Sequence, residues 1–272
     1  MDAAISLTFD PYACFSTSTS PAGLYARQKW LGQEKDLRWR ADFDECAALL
    51  LHGQLRNGSW DSSFIRTAKR LFGLHLTIRH PTKEIERALD WLLDQIEDPH
   101  ENTIVSDSDL NGLPFVTGDP YPLNEAMALF LSTIFDRAGD PRIVARYQEL
   151  SYRALHGPDG WGDPSDMSNF LRAFVVHPLY AKDPATIQVV ESLSRVQDNS
   201  GIFPEAIPFY QTVNALAHLD LPVADRQLKK AFMLLSRTQN EDGTWGAADK
   251  EWNTFLVVHA LRNKKMLFSR ES

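Results

Sequence analysis

A nine-residue unit recurs along this chain and restricts its fold more than any other feature. "GQLRNGSWD" at 53–61 and "TQNEDGTWG" at 238–246 share the pattern Gln-x-x-x-Gly-x-Trp, carried by Gln54, Gly58 and Trp60 and by Gln239, Gly243 and Trp245. A third copy, "VQDNSGIFP", keeps Gln197 and Gly201 and sets Phe203 in the aromatic place. A fourth, "LHGPDGWGD", has His156 for the glutamine, keeps Gly160 and moves the aromatic one place to Trp161. Gln95 in "LDQIEDPH" marks a degenerate fifth. The markers fall at 54, 95, 156, 197 and 239, so the steps are 41, 61, 41 and 42. Such spacing is that of an array of supersecondary units, with one unit carrying an insertion of about twenty residues.

Each unit reads as helix, turn, helix. In "EIERALDWLLDQ", Ile85, Ala88, Leu89, Leu92 and Leu93 share the one face that helical spacing buries. The helices before the markers (42–54, 83–96, 141–155, 185–196, 224–238) carry charged faces and suit an outer layer. Those after the markers, such as "LNEAMALFLSTIF" and "WNTFLVVHAL", are apolar nearly all round and belong inside. Asp-Pro recurs at 119–120, 140–141, 163–164 and 183–184, where the acid can cap a helix and the proline can take its first turn. The segment 20–32 has the same start logic and supplies one more helix, closing the ring. An open superhelix would leave the inner helices' apolar concave side wet, so closure is favoured. The expectation is an all-α fold, an α/α toroid (barrel) of about five to six helical hairpins with inner and outer helix rings. It spans 1–272 as one domain, with an N-terminal extension at 1–20 and a long inserted loop at 96–122. In each turn the glycine is expected to let the backbone reverse. The indole is expected to lock neighbouring hairpins by burial, and the amide by bonding backbone groups freed at helix ends.

Composition excludes several classes. With 43% hydrophobic and 24% charged residues over 272 positions, the chain is globular rather than disordered. A net charge of −8 argues against nucleic acid or an anionic membrane as the main partner. Cys14 and Cys46 form no disulfide framework, the N-terminus lacks the basic stretch of a secretory signal, and no apolar run could span a bilayer. These points lead to the expectation of a cytoplasmic protein with no transmembrane segment.

"QLRNGSW" and "QNEDGTW" resemble the QW repeat of the terpenoid cyclases and the related protein prenyltransferase β-subunits, over residues 40–265. The resemblance implies an α/α toroid and an isoprenoid-handling enzyme. In such an enzyme an apolar cavity folds a polyprenyl chain, an acid protonates it and aromatic faces stabilise carbocations. Squalene–hopene cyclases use two such domains, and this chain has length for one, so a homo-oligomer would supply the second. The family's acid motif is Asp-x-Asp-Asp; here "SDSDLN" offers Asp107 and Asp109, and Leu110 replaces the last acid. Further candidate acids are Asp163 and Asp166 in "GWGDPSDMSNF" and Glu125, a lone carboxylate on an apolar inner helix. Trp161, Phe170, Phe174, Phe209, Tyr210 and Trp252 are the candidate substrate-facing aromatics.

No cofactor is implied, and magnesium would enter only with a bound diphosphate, since no Asp-Asp-x-x-Asp cluster or phosphate loop is present. Asp44 and Cys46 echo the prenyltransferase zinc pair but lie on an outer helix without a third ligand. His75, His177, His218 and His259 fall near the ends of four inner helices and could share one level of the ring. Two other functions fit a closed helical barrel: a carbohydrate-active hydrolase or lyase with two facing carboxylates, and a non-catalytic toroid that binds a lipid or a protein.

Overall fold

The computed structural model describes residues 5–97, 105–157 and 160–267. Its helices are, in order, α1 (Pro21–Lys29), α2 (Leu37–Leu51), α3 (Phe64–Thr77), α4 (Lys83–Glu97), α5 (Asp107–Leu110) and α6 (Pro120–Ile134). There follow α7 (Pro141–His156), α8 (Pro164–Val176), α9 (Pro184–Val196), α10 (Phe209–Leu216), α11 (Pro222–Arg237) and α12 (Lys250–Asn263). Six of them, α1, α3, α6, α8, α10 and α12, pack each on the next, and α12 packs back on α1, so the inner ring is closed. Outside it α2, α4, α7, α9 and α11 cover the seams. The expected toroid is therefore the observed fold.

Local chemistry sets these helices. Asp119, Asp140, Asp163 and Asp183 each cap a helix through a side-chain oxygen, with proline at the first helical position. Ser20 and Ser63 cap α1 and α3. The first outer helix runs over 37–51 rather than the expected 42–54. Asp36 accepts from Arg38 N and starts it early, and the chain leaves helical geometry at His52.

Three copies of the repeat carry one geometry. Nε2 of Gln54 donates to Gly58 O (2.9 Å) in its own turn and to Glu84 O (2.7 Å) on the next outer helix. Gln197 bridges Gly201 O and Gln227 O of α11 in the same way, at 3.1 and 3.2 Å. The glycine does more than turn the chain. Gly58 sits at φ +96°, and a Cβ there would lie 2.3 Å from Arg87 O; at Gly201 the corresponding atom is Lys230 O at 2.5 Å. The indole takes the role expected of the amide. Nε1 of Trp60 donates to His52 O, and that of Trp245 to Leu235 O, both carbonyls at the end of the preceding outer helix. Both rings are buried, and both tryptophan backbone amides donate to a threonine of the following inner helix, Thr67 or Thr254.

The last copy shows how the ring ends. Gln239 Nε2 donates to Gly243 O and to Phe9 O, while its Oε1 accepts from Phe9 N. Gly243 abuts Asp10 O. The N-terminal segment thus takes the place that the next outer helix holds in the other repeats. Phe15, Tyr25, Trp30 and Phe255 form an aromatic cluster that joins this segment and α1 to α12. The degenerate markers lack the clamp: Gln95 lies within α4, and His156 Nδ1 pairs only with Tyr152 O of its own helix.

Gly58→Ala and Gly201→Ala are expected to cost at least about 2 kcal/mol each, because both the φ angle and the carbonyl contact oppose a Cβ. Gly139 has open space around its Cα and an ordinary φ, so Gly139→Ala should stay within about 0.5 kcal/mol. Urea denaturation of the three variants checks this.

Candidate functional site

The inner helices run parallel, with their N-termini at one mouth of the toroid. The inserted loop, of which 98–104 lie outside the described residues, returns across this mouth. Leu110, Leu113 and Phe115 are buried there. Asn169 of α8 holds Val116 by two 2.9 Å bonds, its Oδ1 accepting from Val116 N and its Nδ2 donating to Val116 O. On the opposite side Trp252 Nε1 of α12 donates to Leu113 O (3.2 Å). Phe115 meets Phe130 edge to face. The insertion is thus a plug tied to two inner helices, and its apolar side chains explain why so long a loop is held in place.

Beneath the plug lies a cavity of about 170 Å³, enclosed by Phe72, Phe130, Trp252 and Phe255 and by Pro114 of the plug. A larger compartment of about 580 Å³ opens beside the plug, between it, α1, α3 and the start of α12. Phe72, Leu76 and Trp252 line both spaces, so one side-chain wall separates them. Trp252 stacks on Phe255 (5.3 Å, 10°) and stands edge-on to Phe72. Lys69, Lys250, Asp249 and Glu251 lie around the outer compartment.

The deep cavity has a polar floor. Arg172 of α8, only 7% exposed, donates from Nη1 to Asn214 Oδ1 (2.7 Å), and its guanidinium lies 5.1 Å from the Phe130 ring centre. His75, His218 and His259 line the same space, the rings of the latter two 5.3 Å apart. Burial pushes all three below the ordinary imidazole range, to about 4 for His75 and about 3 for His259, and the Arg172 charge pushes in the same direction. Burial likewise lowers Arg172 to about 9. His177 does not join them: its Nδ1 accepts from Leu179 N and Tyr180 N, and its ring packs on Tyr147 and Tyr180. Among the described residues no group of three or more His, Cys, Asp or Glu is placed to hold a metal ion.

The acids named from sequence lie elsewhere. Asp109 is exposed and closes a capping box with Ser106, whose hydrogen bonds lower its carboxyl. Asp107 accepts from Thr117 Oγ1. Asp163 accepts from Ser165 N and Asp166 N as the cap of α8. Glu125 is buried on the outward side of α6, 3.5 Å from Arg146 and 3.8 Å from Arg153 of α7; burial raises its carboxyl and the two arginines oppose that. Asp166 stands apart. Burial, then the nearby Asp163 and Asp119, raise it to about 6, and its Oδ1 has no hydrogen-bond partner. It shares a side pocket of about 280 Å³ with Trp161, Phe170, Tyr121 and Arg153.

Of the aromatics, Trp252 reaches the lumen, Trp161 and Phe170 reach the side pocket, and Phe174 is packed between Trp161 and Tyr147. Phe209 and Tyr210 sit at the start of α10, and Phe209 packs on Phe203. Sequence reasoning missed Arg172 and Asn214. The available signal was a charge inside "FLRAFVV" and an amide inside "TVNALA", the argument already applied to Glu125.

No protein-family model matches the chain, and no curated protein matches it. Solved structures share its fold. The type II terpene cyclase MstE from Scytonema aligns with a TM-score of 0.57 at 13% identity, over 95% of this chain and 88% of that one. A crystal structure of a protein from Actinoplanes gives 0.57 at 18% identity, over 94% and 90%. An alpha-2-macroglobulin fragment from Escherichia coli gives 0.56 at 17%, with 92% of this chain covering 41% of that one. The α/α toroid is thus common to a cyclase and to a macroglobulin. No described helix is long and apolar enough to cross a membrane.

The neutral histidines make stability acid-sensitive. Their folded values lie below the ordinary 6.5, so the unfolded chain takes up protons that the folded lumen refuses. This stability is complete above pH 6.5 and is lost as pH falls toward about 4 for His75 and about 3 for His259. Urea midpoints at pH 7.5 and 5 should drop in the native protein and drop less in His259→Asn.

Proposed function

We propose that this protein binds and encloses an elongated apolar molecule of isoprenoid type in its lumen. The observation that carries this is the pair of adjoining compartments, divided only by the side chains of Phe72, Leu76 and Trp252. An apolar outer space of about 580 Å³ and an aromatic inner one share Phe72, Leu76 and Trp252, and Pro114 of the inserted loop lines the inner one. Pockets of this size and lining bury most of a small ligand's surface. Aromatic faces stacked as Trp252 and Phe255 are suit alkene chains and allylic cations. The fold neighbour MstE supports the ligand class, since one of its structures is described as holding geranylgeranyl dihydroxybenzoate as substrate. Magnesium has no place in this reading unless the ligand brings a diphosphate.

No described carboxylate lines the deep cavity, so protonation of a ligand there is not assigned to a lumen side chain. Acid-initiated chemistry of the terpene cyclase type is the second reading, and Asp166 favours it. Its carboxyl is raised to about 6 and is unpartnered at Oδ1, beside the faces of Trp161 and Phe170. A general acid needs such a value near working pH.

Thermal melts with a C15 prenyl alcohol should show a rise that Trp252→Ala diminishes, because ligand bound to the native state raises the melting temperature. A rise with oligosaccharides alone would replace the isoprenoid reading by the carbohydrate one. Product analysis after incubation with linear polyprenyl substrates tests the acid: Asp166→Asn should abolish any cyclised product, while Asp107→Asn and Asp109→Asn should leave it in place.

A further inference from the structure

Among the described residues Arg172 is a cation without a counter-ion, facing the deep cavity. It is 7% exposed, and none of the ion pairs among the described residues includes it. Nη1 is committed to Asn214 Oδ1, and Asn214 is itself anchored by its Nδ2 donating to Leu256 O (3.0 Å). Nε is buried without a partner, and Nη2 makes no hydrogen bond among the described residues. The guanidinium therefore has Nη1 occupied, while its other edge, Nε with Nη2, has no hydrogen-bond partner among the described residues. Two parallel N–H groups on one edge are the half of a fork that a planar oxyanion completes bidentately. The lining around it includes, beside apolar and aromatic side chains, His75, His218 and His259, of which His75 Nδ1 and His218 Nε2 also lack partners. A buried, solitary charge is costly to maintain, and removing one partner of a buried pair leaves that cost unrelieved.

We infer that the lumen is built around the head group of its ligand, and that this head group is a carboxylate gripped by the Nε and Nη2 edge of Arg172, with the apolar tail lying against Phe72 and Trp252 and reaching the outer compartment by displacing that side-chain wall. The single fixed charge at Arg172 matches one negative charge, which selects a carboxylate over a phosphate ester. The oriented amide of Asn214 keeps the guanidinium plane fixed for the contact. For the tail, this inference rests on the isoprenoid reading above; the anion site itself does not.

The test measures binding of a C15 prenyl carboxylate, its alcohol, its monophosphate and tail-less benzoate to the full chain and to Arg172→Met and Arg172→Lys, by calorimetry at pH 7.5. The native protein should bind the carboxylate at least about tenfold tighter than the alcohol, a difference typical of a charge-assisted bidentate contact. Arg172→Met should bring the two within about threefold while still binding the alcohol, and Arg172→Lys should fall between. Met in place of a desolvated charge is expected to fold, and the lysine variant keeps the test valid if it does not. Equal affinity of acid and alcohol in the native protein, or a preference that survives Arg172→Met, would overturn the site while leaving the isoprenoid reading intact. A monophosphate bound about tenfold tighter than the carboxylate would overturn the choice of carboxylate. Arg172-dependent binding of benzoate with no binding of any of the three prenyl compounds would uphold the anion site and end the isoprenoid reading. Silence from all four ligands overturns both.

Discussion

The ring depends on a close backbone approach between three of its repeat turns, at Gly58, Gly201 and Gly243, and the segment that packs on each. At Gly58 and Gly201 a main-chain carbonyl of the following outer helix sits where any other residue would carry its Cβ. The glutamine four positions earlier fastens the same junction with one amide shared between two carbonyls, its own turn's and its neighbour's. A closed ring adds up its junction errors. Small widening at every seam would enlarge the lumen until water entered, so tight junctions and a dry centre go together. The N-terminal segment shows how firmly this is required, since Phe9 and Asp10 present backbone to Gln239 and Gly243 although no helix forms there.

Within that frame the lumen carries two departures from a plain hydrophobic core. The insertion supplies Leu113, Pro114 and Phe115 as a plug, held at both edges by side chains of the inner helices rather than by its own secondary structure. Arg172 is the other. Its charge is moderated by Asn214 and by the face of Phe130, both weaker than an ion pair, and its proximity helps keep His75, His218 and His259 neutral. A toroid shared with a terpene cyclase and with part of a macroglobulin does not dictate chemistry; these two departures give this member its own character.

Much of the scaffold is legible in the residues. Asp-Pro at four places caps four helices, and each does so by the mechanism its chemistry suggests. The Gln-x-x-x-Gly-x-Trp spacing marks the turns and predicts that the glutamine and tryptophan join elements by hydrogen bonds and burial; only the helix-end carbonyls go to a different partner than expected. The indole satisfies the helix-end carbonyl, and the amide reaches the neighbour. The candidate site is less legible. Of the acids, Asp109 and Asp163 serve local caps, a use that short acidic side chains meet within three residues of sequence. Of four histidines at matching helix positions, three meet in the lumen. His177 turns aside, its ring nitrogen accepting from the amides of the next turn and its ring packing on Tyr147 and Tyr180.

By itself the sequence determined the helix–turn–helix repeat, most helix starts, the division into inner and outer layers and the closure of the ring, because hydrophobic period, caps and turn residues act locally and repeat. The tertiary structure alone decided which inner-helix residues see the lumen. Glu125 and Arg172 read alike, each a single charge in an apolar helix, yet α6 turns Glu125 outward onto Arg146 and Arg153 while α8 turns Arg172 inward onto Asn214 and Phe130. A helix buried on all sides leaves no amphipathic mark of its orientation. Its rotation is fixed by how neighbouring helices pack around the ring, and that is a property of the closed assembly.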